Sequence, residues 1–275
     1  MLVYAKHVGH ETRKDVRLPF STPGYGHAAV PSVNESLESP VKNSLYNRLA
    51  RLELPRRAAS IVAECRCRLF DWRHHIKTCA TAKLSTLTIR SENAQHGVWY
   101  HPSHPRLVFQ LLNGLGIDCR DYIFVDLGSG KGRTLVIASE YPFQRIVGVE
   151  FAEELHKIAV RNVYDYRSRT QQCKNIECVH LDAMEFRIPP VSAVIYLNNP
   201  FRPPILIPVL RNIEKSLCEA PRDVLLIYVT PFHGELIERE TRMRQVGQGT
   251  YHKLYRFSPS REVEGSSSHT TPSGR

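Results

Sequence analysis

A glycine-rich turn is the part of this sequence best suited to bind a ligand. Gly128, Gly130 and Gly132 alternate with other residues directly after an apolar run, and an apolar helical pattern follows them. Glycine lets the backbone approach a ligand closely, and the amino end of the next helix offers free NH groups to a carboxylate. Asp126, at the end of the apolar run, provides a carboxylate for an ammonium group. The turn therefore suits a ligand with a positive centre and an amino-acid end.

Two other glycine-rich nucleotide motifs do not fit this turn. A P-loop has a serine or threonine after its lysine to bind Mg²⁺, but Lys131 is followed by Gly132. The dinucleotide motif G-x-G-x-x-G has a third glycine at the position that Arg133 occupies here. We expect Lys131 and Arg133 to be a solvent-facing pair at the start of the helix.

Acidic residues end the next two apolar runs. Glu150 closes the run VGVE, and carboxylate oxygens at such a strand end can accept both hydroxyl hydrogen bonds of a ribose. Asp182 follows the third run, in LDAMEF, where an aspartate can also cap a helix. We expect Asp126, Glu150 and Asp182 to lie on successive strand ends around one cleft.

Together these motifs resemble the class I S-adenosylmethionine-dependent methyltransferases, whose first motif reads E/D-x-G-x-G-x-G. The resemblance implies that S-adenosyl-L-methionine is the cofactor and that Glu150 binds its ribose. It also implies that Asp182 takes the adenine amino group. The predicted contacts of its amino-acid end are Asp126, Gly128, Ser129, Gly130 and Gly132.

The motif NNPF after the fourth apolar run extends the resemblance. Many family members that methylate nitrogen have (D/N)-P-P-(Y/F/W) here, so the resemblance implies a catalytic role for Asn198, Asn199, Pro200 and Phe201. Asn199 replaces the first proline of the family pattern, which leaves open which asparagine faces the cofactor. Protein lysine and other amines or amides are the acceptors that this motif favours.

A segment upstream of the first strand also matches some family members. Tyr100, Pro102 and Ser103 fit the pattern Y-x-P-[ST], which is similar to uncharacterised bacterial members and more loosely to non-SET protein lysine methyltransferases. The resemblance implies that Tyr100 lies beside the methionine end of the cofactor. Ser103 also suits the N-cap of the following helix.

Short apolar runs that alternate with amphipathic segments predict the α/β fold that must position these residues. Five runs are apolar on both faces, as buried parallel strands are: YIFVDL, RIVGVE, NIECVHL, SAVIYL and DVLLIYVT. The segments between them are long enough for crossover helices, and YHKLYRF would add an antiparallel strand near the edge. We therefore predict a doubly wound, mostly parallel, seven-stranded Rossmann-like sheet with an N-terminal helical appendage.

Composition changes divide the chain into four predicted parts. They are a flexible basic arm (1–41), a helical appendage interrupted at Pro55 (42–94), the methyltransferase domain (95–258) and a disordered tail (259–275). Residues 1–95 carry 15 Lys and Arg against 8 Asp and Glu, which allows contact with a polyanion. A solvated basic face is the simpler interpretation, because no stripe of basic and aromatic residues is present.

No apolar run approaches the roughly 18 to 20 residues that cross a membrane, so we expect a cytoplasmic protein with reduced cysteines. The segment CRCRLFDWRHHIKTC collects Cys65, Cys67, His74, His75 and Cys79, but C-x-C is not the usual zinc spacing.

Several functional alternatives stay open at this point. One is a non-catalytic cofactor-binding scaffold or RNA-binding module on the same fold; an NAD-dependent oxidoreductase is disfavoured because the third glycine is missing. The methyl acceptor is a protein, an RNA or a small molecule. A lysine acceptor must lose a proton, for which Tyr100, Tyr228 and His233 are candidate groups.

Overall fold

A computed structural model of the 275-residue chain describes residues 56–79, 81, 87 and 100–259. The predicted arm and nearly all of the predicted tail lie outside these residues, so the division into four parts stays a prediction. The helices are α1 (Arg56–His74), α2 (Pro105–Asn113), α3 (Arg133–Ala138), α4 (Glu153–Asp165), α5 (Pro203–Glu219) and α6 (Glu235–Glu240). The strands are β1 (Ile123–Leu127), β2 (Ile146–Glu150), β3 (Ile176–His180), β4 (Ala193–Asn198), β5 (Val224–Val229), β6 (Arg244–Gly249) and β7 (His252–Phe257).

The seven strands form one sheet in the order β3-β2-β1-β4-β5-β7-β6. Strands β1 to β5 are parallel, whereas β7 runs antiparallel between β5 and β6. The chain leaves β1 toward β2 on one side and reaches β4 on the other. Such a reversal opens a crevice at the carboxyl ends of the central strands, where doubly wound proteins bind ligands. The predicted fold class is confirmed.

The central strands β1, β2, β4 and β5 form because their side chains are buried on both faces of the sheet, whereas β3 is partly exposed. Every residue of β1 and β5 is buried. On one face Val125 and Leu127 pack in a cluster with Leu206 and Leu210 of α5. On the other face Phe124 shares a second cluster whose helical members include Val108 of α2 and Leu135 of α3. Two apolar layers thus hold the carboxyl ends of the strands in fixed positions.

The described part of the predicted appendage starts with helix α1 at Arg56, and the predicted interruption at Pro55 lies outside the described residues. After α1, Ile76 is buried against Val136 of α3 and Tyr166. The segment that follows α1 therefore packs beside the helix that starts at the glycine-rich turn.

Candidate functional site

A cleft of about 630 Å³ opens at the carboxyl ends of β1, β2 and β4. A neighbouring cavity of about 310 Å³ shares Gly128 and Phe201 with it and contains Asp182. Of the predicted site residues, those that line the larger cleft are Tyr100, Asp126, Gly128, Ser129, Gly130, Glu150, Asn198, Asn199, Pro200 and Phe201. Residues from four separate parts of the sequence thus converge on one crevice.

The glycine-rich turn is packed so closely that side chains at two of its positions would collide. Gly128 and Gly130 have φ values of +88° and +55°, in the left-handed region. A Cβ atom on Gly128 would lie 2.6 Å from Pro200, and one on Gly130 would lie 2.3 Å from the ring of Tyr100. Glycine at these positions therefore brings the loop against both the NNPF motif and the Y-x-P-[ST] segment.

Gly132 lines neither cavity. It precedes α3 with φ of +78°, and a Cβ atom there would lie 3.2 Å from Ala159 of α4. The observed role of this glycine is to let α3 pack against α4, whereas its cofactor contact stays a prediction.

Glu150 is buried at the end of β2 and faces the turn. Its carboxylate accepts hydrogen bonds from the backbone NH groups of Gly130 (2.8 Å) and Ala152 (2.9 Å). Burial raises the pKa of Glu150 to about 7, although these NH donors favour its charged form. The backbone NH of Phe151 favours the charged form as well, and the carboxylate keeps a lone pair for a ligand hydroxyl.

Asp126 is also buried, and its carboxylate accepts a hydrogen bond from the hydroxyl of Thr134 on α3. Burial raises its pKa to about 7, and the nearby Glu150 adds to the rise. Asp126 thus lines the cleft while it also ties β1 to the helix after the turn.

Ser129 provides a polar atom that has no hydrogen-bond partner among the residues that the structure describes. Its hydroxyl oxygen is buried, and the residue lines the larger cleft. Buried polar atoms are nearly always paired, so an unpaired hydroxyl in a cleft is suited to a ligand. Together with the glycine turn and the two buried carboxyl groups, it fits a ligand of the kind of S-adenosylmethionine.

Asp182 lies after β3, in the smaller cavity, and accepts a hydrogen bond from the backbone NH of Met184 (3.0 Å). The other lining residues are mostly apolar: Val149, Phe151, Leu181, Ala183, Phe201 and Ile205. An apolar slot with one carboxylate at its side suits a flat heteroaromatic ring with an amino group. Of these residues, only Asp182 and Phe201 could be assigned to the site from the sequence.

The two asparagines of NNPF have different environments. Asn198 donates its amide hydrogen to the carbonyl oxygen of His101 (3.0 Å). Asn199 has φ of +44°, and its side-chain oxygen accepts a hydrogen bond from Tyr228 (3.2 Å). Because Asn198 uses its amide nitrogen in this bond, its side-chain oxygen is available in the cleft. The side-chain oxygen of Asn199 is already bonded to Tyr228.

The prediction that Lys131 and Arg133 face solvent is wrong. Arg133 is only 2% exposed and forms an ion pair with Asp71 of α1 (3.3 Å). Lys131 is buried as well, and its ammonium group donates to the carbonyl oxygen of Cys79 (3.2 Å). The segment after α1 covers this end of α3, which a pattern based on local charge does not reveal.

The suggested N-cap role of Ser103 is also wrong. His104 is the N-cap residue of α2 and makes no side-chain capping bond. The hydroxyl of Ser103 accepts a hydrogen bond from Tyr196 of β4 (2.8 Å), and its carbonyl oxygen accepts one from Arg133 (3.1 Å). Ser103 therefore fixes the Y-x-P-[ST] segment to the sheet.

Two of the candidate proton acceptors are poorly suited to that role. Burial raises the pKa of Tyr228 to about 12, and it raises that of Tyr100 further. Tyr100 donates its hydroxyl hydrogen to the carbonyl oxygen of Thr78 (2.8 Å). Both phenols are therefore protonated at neutral pH. His233 is half-buried in the turn before α6.

Among the described residues, no three His, Cys, Asp or Glu side chains lie close enough together to bind a metal ion. Cys67 and Cys79 instead accept hydrogen bonds from the guanidinium group of Arg133, at 3.4 and 3.1 Å. In the same part of the chain, no helix combines the length and apolar character that a bilayer span requires.

Comparison with known proteins supports the predicted chemistry. Residues 120–192 match the model of a family described as "Putative methyltransferase". This segment contains the glycine turn, Glu150 and Asp182. The match supports a methyltransferase with S-adenosylmethionine as its cofactor. No curated protein matches the chain.

Three solved structures illustrate the likeness in fold. An RNA methyltransferase from Salinibacter ruber, in complex with S-adenosyl-L-homocysteine, is 23% identical over 59% of this chain and 96% of its own, with a TM-score of 0.41. A protein from Pyrococcus horikoshii described as a putative RNA methyltransferase is 19% identical over 66% and 92%, with a TM-score of 0.44. A tRNA (m1A58) methyltransferase from Aquifex aeolicus is 14% identical over 57% and 70%, with a TM-score of 0.40. These values are too low to support a functional argument.

Proposed function

We propose that this protein transfers the methyl group of S-adenosylmethionine to a nitrogen atom of its acceptor. The observation that carries the proposal is the convergence of the glycine turn, Glu150 and the NNPF motif on one cleft. A glycine turn alone is compatible with a protein that binds no ligand. The Ser129 hydroxyl, which has no partner among the described residues, and the two buried carboxyl groups support a binding site in this cleft.

The proposed roles of the cofactor-binding residues follow from their chemistry. Glu150 accepts hydrogen bonds from ribose hydroxyls, and Asp182 accepts one from the adenine amino group in the apolar slot beside it. Ser129 and the NH groups of the turn bind the amino-acid end. When bound, the cofactor supplies an electrophilic methyl group, and the new nitrogen–carbon bond forms as its carbon–sulfur bond breaks.

Asn198 is the residue that we assign to the acceptor. Its amide nitrogen is fixed on His101, so its side-chain oxygen can accept an NH hydrogen of the acceptor and direct the nitrogen lone pair into the cleft. Phe201 is largely buried next to it and helps to exclude water. Positioning in the cleft accounts for most of the catalysis. Tyr100 and Tyr228 are weak bases, so the acceptor proton leaves to water or to His233.

Transfer of a labelled methyl group tests this proposal. Purified protein and methyl-labelled S-adenosylmethionine are incubated with a cell lysate that has been separated into protein, RNA and small-molecule fractions. We expect label in one fraction with the wild type, and a loss of about a hundredfold in rate with Asn198→Ala at unchanged cofactor affinity. Label in protein, on lysine, would agree with a lysine acceptor; label in RNA would point to a base nitrogen. Cofactor binding with no label in any fraction would favour the non-catalytic scaffold.

A further inference from the structure

The structure assigns a positioning role to Asp71: through Arg133 and the segment 76–79 it holds the glycine turn and Tyr100 in the geometry that binds the cofactor. Asp71 lies on α1, 55 residues before Asp126 and outside the segment that matches the methyltransferase family. The role of Asp71 can be measured in two ways. A measurement of cofactor affinity rests on the proposed function, whereas a measurement of the mobility of the turn does not.

Arg133 is the centre of a buried polar network. It follows the glycine turn directly, and its guanidinium group contacts α1, the segment after α1 and the Y-x-P-[ST] segment at once. The partners are Asp71 (3.3 Å), the Thr78 hydroxyl (2.6 Å), the Ser103 carbonyl oxygen (3.1 Å) and the sulfur atoms of Cys67 and Cys79. A buried guanidinium requires a compensating anion. Among the described residues, Asp71 is the only carboxylate that forms an ion pair with Arg133.

Asp71 also shapes the segment that follows its helix. Its carboxylate accepts hydrogen bonds from the backbone NH groups of Thr78 (2.5 Å) and Cys79 (2.7 Å) and from the hydroxyl of Thr78 (2.6 Å). The backbone oxygen of Asp71 accepts a fourth, from the NH of Ile76 (3.0 Å). One side chain therefore both neutralises Arg133 and folds the turn against it.

This turn contacts the ligand-binding loop at two points. The carbonyl oxygen of Thr78 accepts the hydroxyl hydrogen of Tyr100, whose ring lies against Gly130. The carbonyl oxygen of Cys79 accepts a hydrogen bond from the ammonium group of Lys131, which lies 4.9 Å from the centre of the same ring. A change at Asp71 should therefore displace both Tyr100 and the glycine turn, although Asp71 itself does not contact the ligand.

Asn162 of α4 supports the same arrangement from the other side. Its side chain accepts the NH hydrogen of Lys77 (2.7 Å) and donates to the carbonyl oxygen of Lys131 (2.8 Å). Asn162 therefore links Lys77 to Lys131 of the glycine turn without any contribution from Asp71. Because of this bridge, we expect loss of the Asp71 carboxylate to loosen the turn without unfolding it.

The test compares two aspartate-to-asparagine variants of the full chain. Asp71→Asn keeps the side-chain shape but removes the charge that neutralises Arg133. Asp223→Asn is the control. Asp223 likewise pairs with an arginine, Arg256, and accepts a hydrogen bond from Tyr122, but it precedes β5 and thus lies at the amino ends of the strands, away from the cleft. Any general effect of removing a paired carboxylate appears in both variants.

We expect Asp71→Asn to raise the dissociation constant of S-adenosylmethionine at least tenfold, while kcat at saturating cofactor changes less than about threefold. In the ligand-free protein, amide hydrogen exchange over residues 128–133 should be faster in Asp71→Asn than in the wild type. Asp223→Asn should change neither quantity. Tyr100→Phe should also weaken binding, and its effect should be less than additive with that of Asp71→Asn, because both act on the same contact.

Unchanged cofactor affinity and unchanged exchange in Asp71→Asn would overturn the inference. If Asp71→Asn does not fold, Thr78→Val replaces it, since this variant removes one hydroxyl from the network at equal volume, and the same two measurements decide. A wild type that binds no cofactor would contradict the proposed function alone, and the exchange comparison would still judge the role of Asp71.

Discussion

The buried carboxyl group of Glu150 should make the ligand-free protein less stable as the pH rises, and glutamine in its place should remove that loss. Burial raises the pKa of Glu150 from 4.5 to about 7. A carboxyl group with a raised pKa in the folded state binds more protons when the chain is folded. Its contribution to stability is therefore complete below pH 4.5 and is lost as the pH rises through 7.

The size of this effect follows from the two pKa values. Each unit of difference is worth about 1.4 kcal/mol, so between pH 5 and pH 8 the charged carboxylate lowers the free energy of unfolding by about 2 to 3 kcal/mol. Glutamine carries no charge at either pH. Its amide group cannot accept the hydrogen bond that one carboxylate oxygen accepts, but glutamine does not titrate, so the change between the two pH values reports the ionisation of Glu150 alone.

Urea unfolding of the ligand-free wild type and Glu150→Gln at pH 5 and pH 8 measures this difference. We expect the stability of the variant relative to the wild type to increase by about 2 to 3 kcal/mol between the two pH values. A relative stability that does not change with pH refutes the reasoning. The same ionisation should tighten cofactor binding by up to about tenfold from pH 6 to pH 8 in the wild type, because the charged carboxylate accepts both ribose hydrogen bonds.

Two further substitutions test the geometry of the cleft. Gly130→Ala should lower the free energy of unfolding by about 2 to 4 kcal/mol and weaken cofactor binding, because its Cβ atom meets the ring of Tyr100. Gly116→Ala is the control, since Gly116 has a similar positive φ but no described atom near its Cβ position, and it should lower the free energy of unfolding by only about 1 to 2 kcal/mol. Equal losses in the two variants, from thermal unfolding, would contradict the close packing. Tyr228→Phe should lower kcat less than about tenfold and keep the shape of its pH profile, because the phenol only positions Asn199. Loss of the rise in kcat with increasing pH would identify Tyr228 as a base.

Most of the sheet could be predicted because its strands are buried on both faces. The runs that form β1, β2, β4 and β5 are apolar except near their carboxyl ends, and the acidic residues of β1 and β2 could be located from them. Strand β6 was not identified. It is an edge strand with mostly exposed residues, and its sequence RQVGQG lacks an apolar face. Its position depends on pairing with β7, which a local pattern does not contain.

The environment of the glycine turn could not be predicted in the same way. Lys131 and Arg133 follow a turn, where charged residues usually face solvent, and the partners that bury Arg133 are 30 to 66 residues distant in the sequence. One local signal did exist. After Arg133 and Thr134 the helix is apolar at every position, in LVIA, which indicates a helix covered on every side, and all residues of α3 are buried.

The apolar slot beside Asp182 was missed for a related reason. Phe151, Ala183 and Ile205 come from three different connections, and each is an ordinary apolar residue in its own segment. These three residues line one cavity only because the folded chain brings their segments together at the carboxyl ends of the strands.

The central claim is that the cleft binds S-adenosylmethionine, and calorimetric titration of the purified protein tests it most directly. We predict saturable binding of S-adenosylmethionine and of its demethylated product, S-adenosylhomocysteine. Gly128→Arg should abolish binding because its side chain would collide with Pro200, and Glu150→Ala should weaken it sharply. No heat of binding and no thermal shift with either compound would contradict the account.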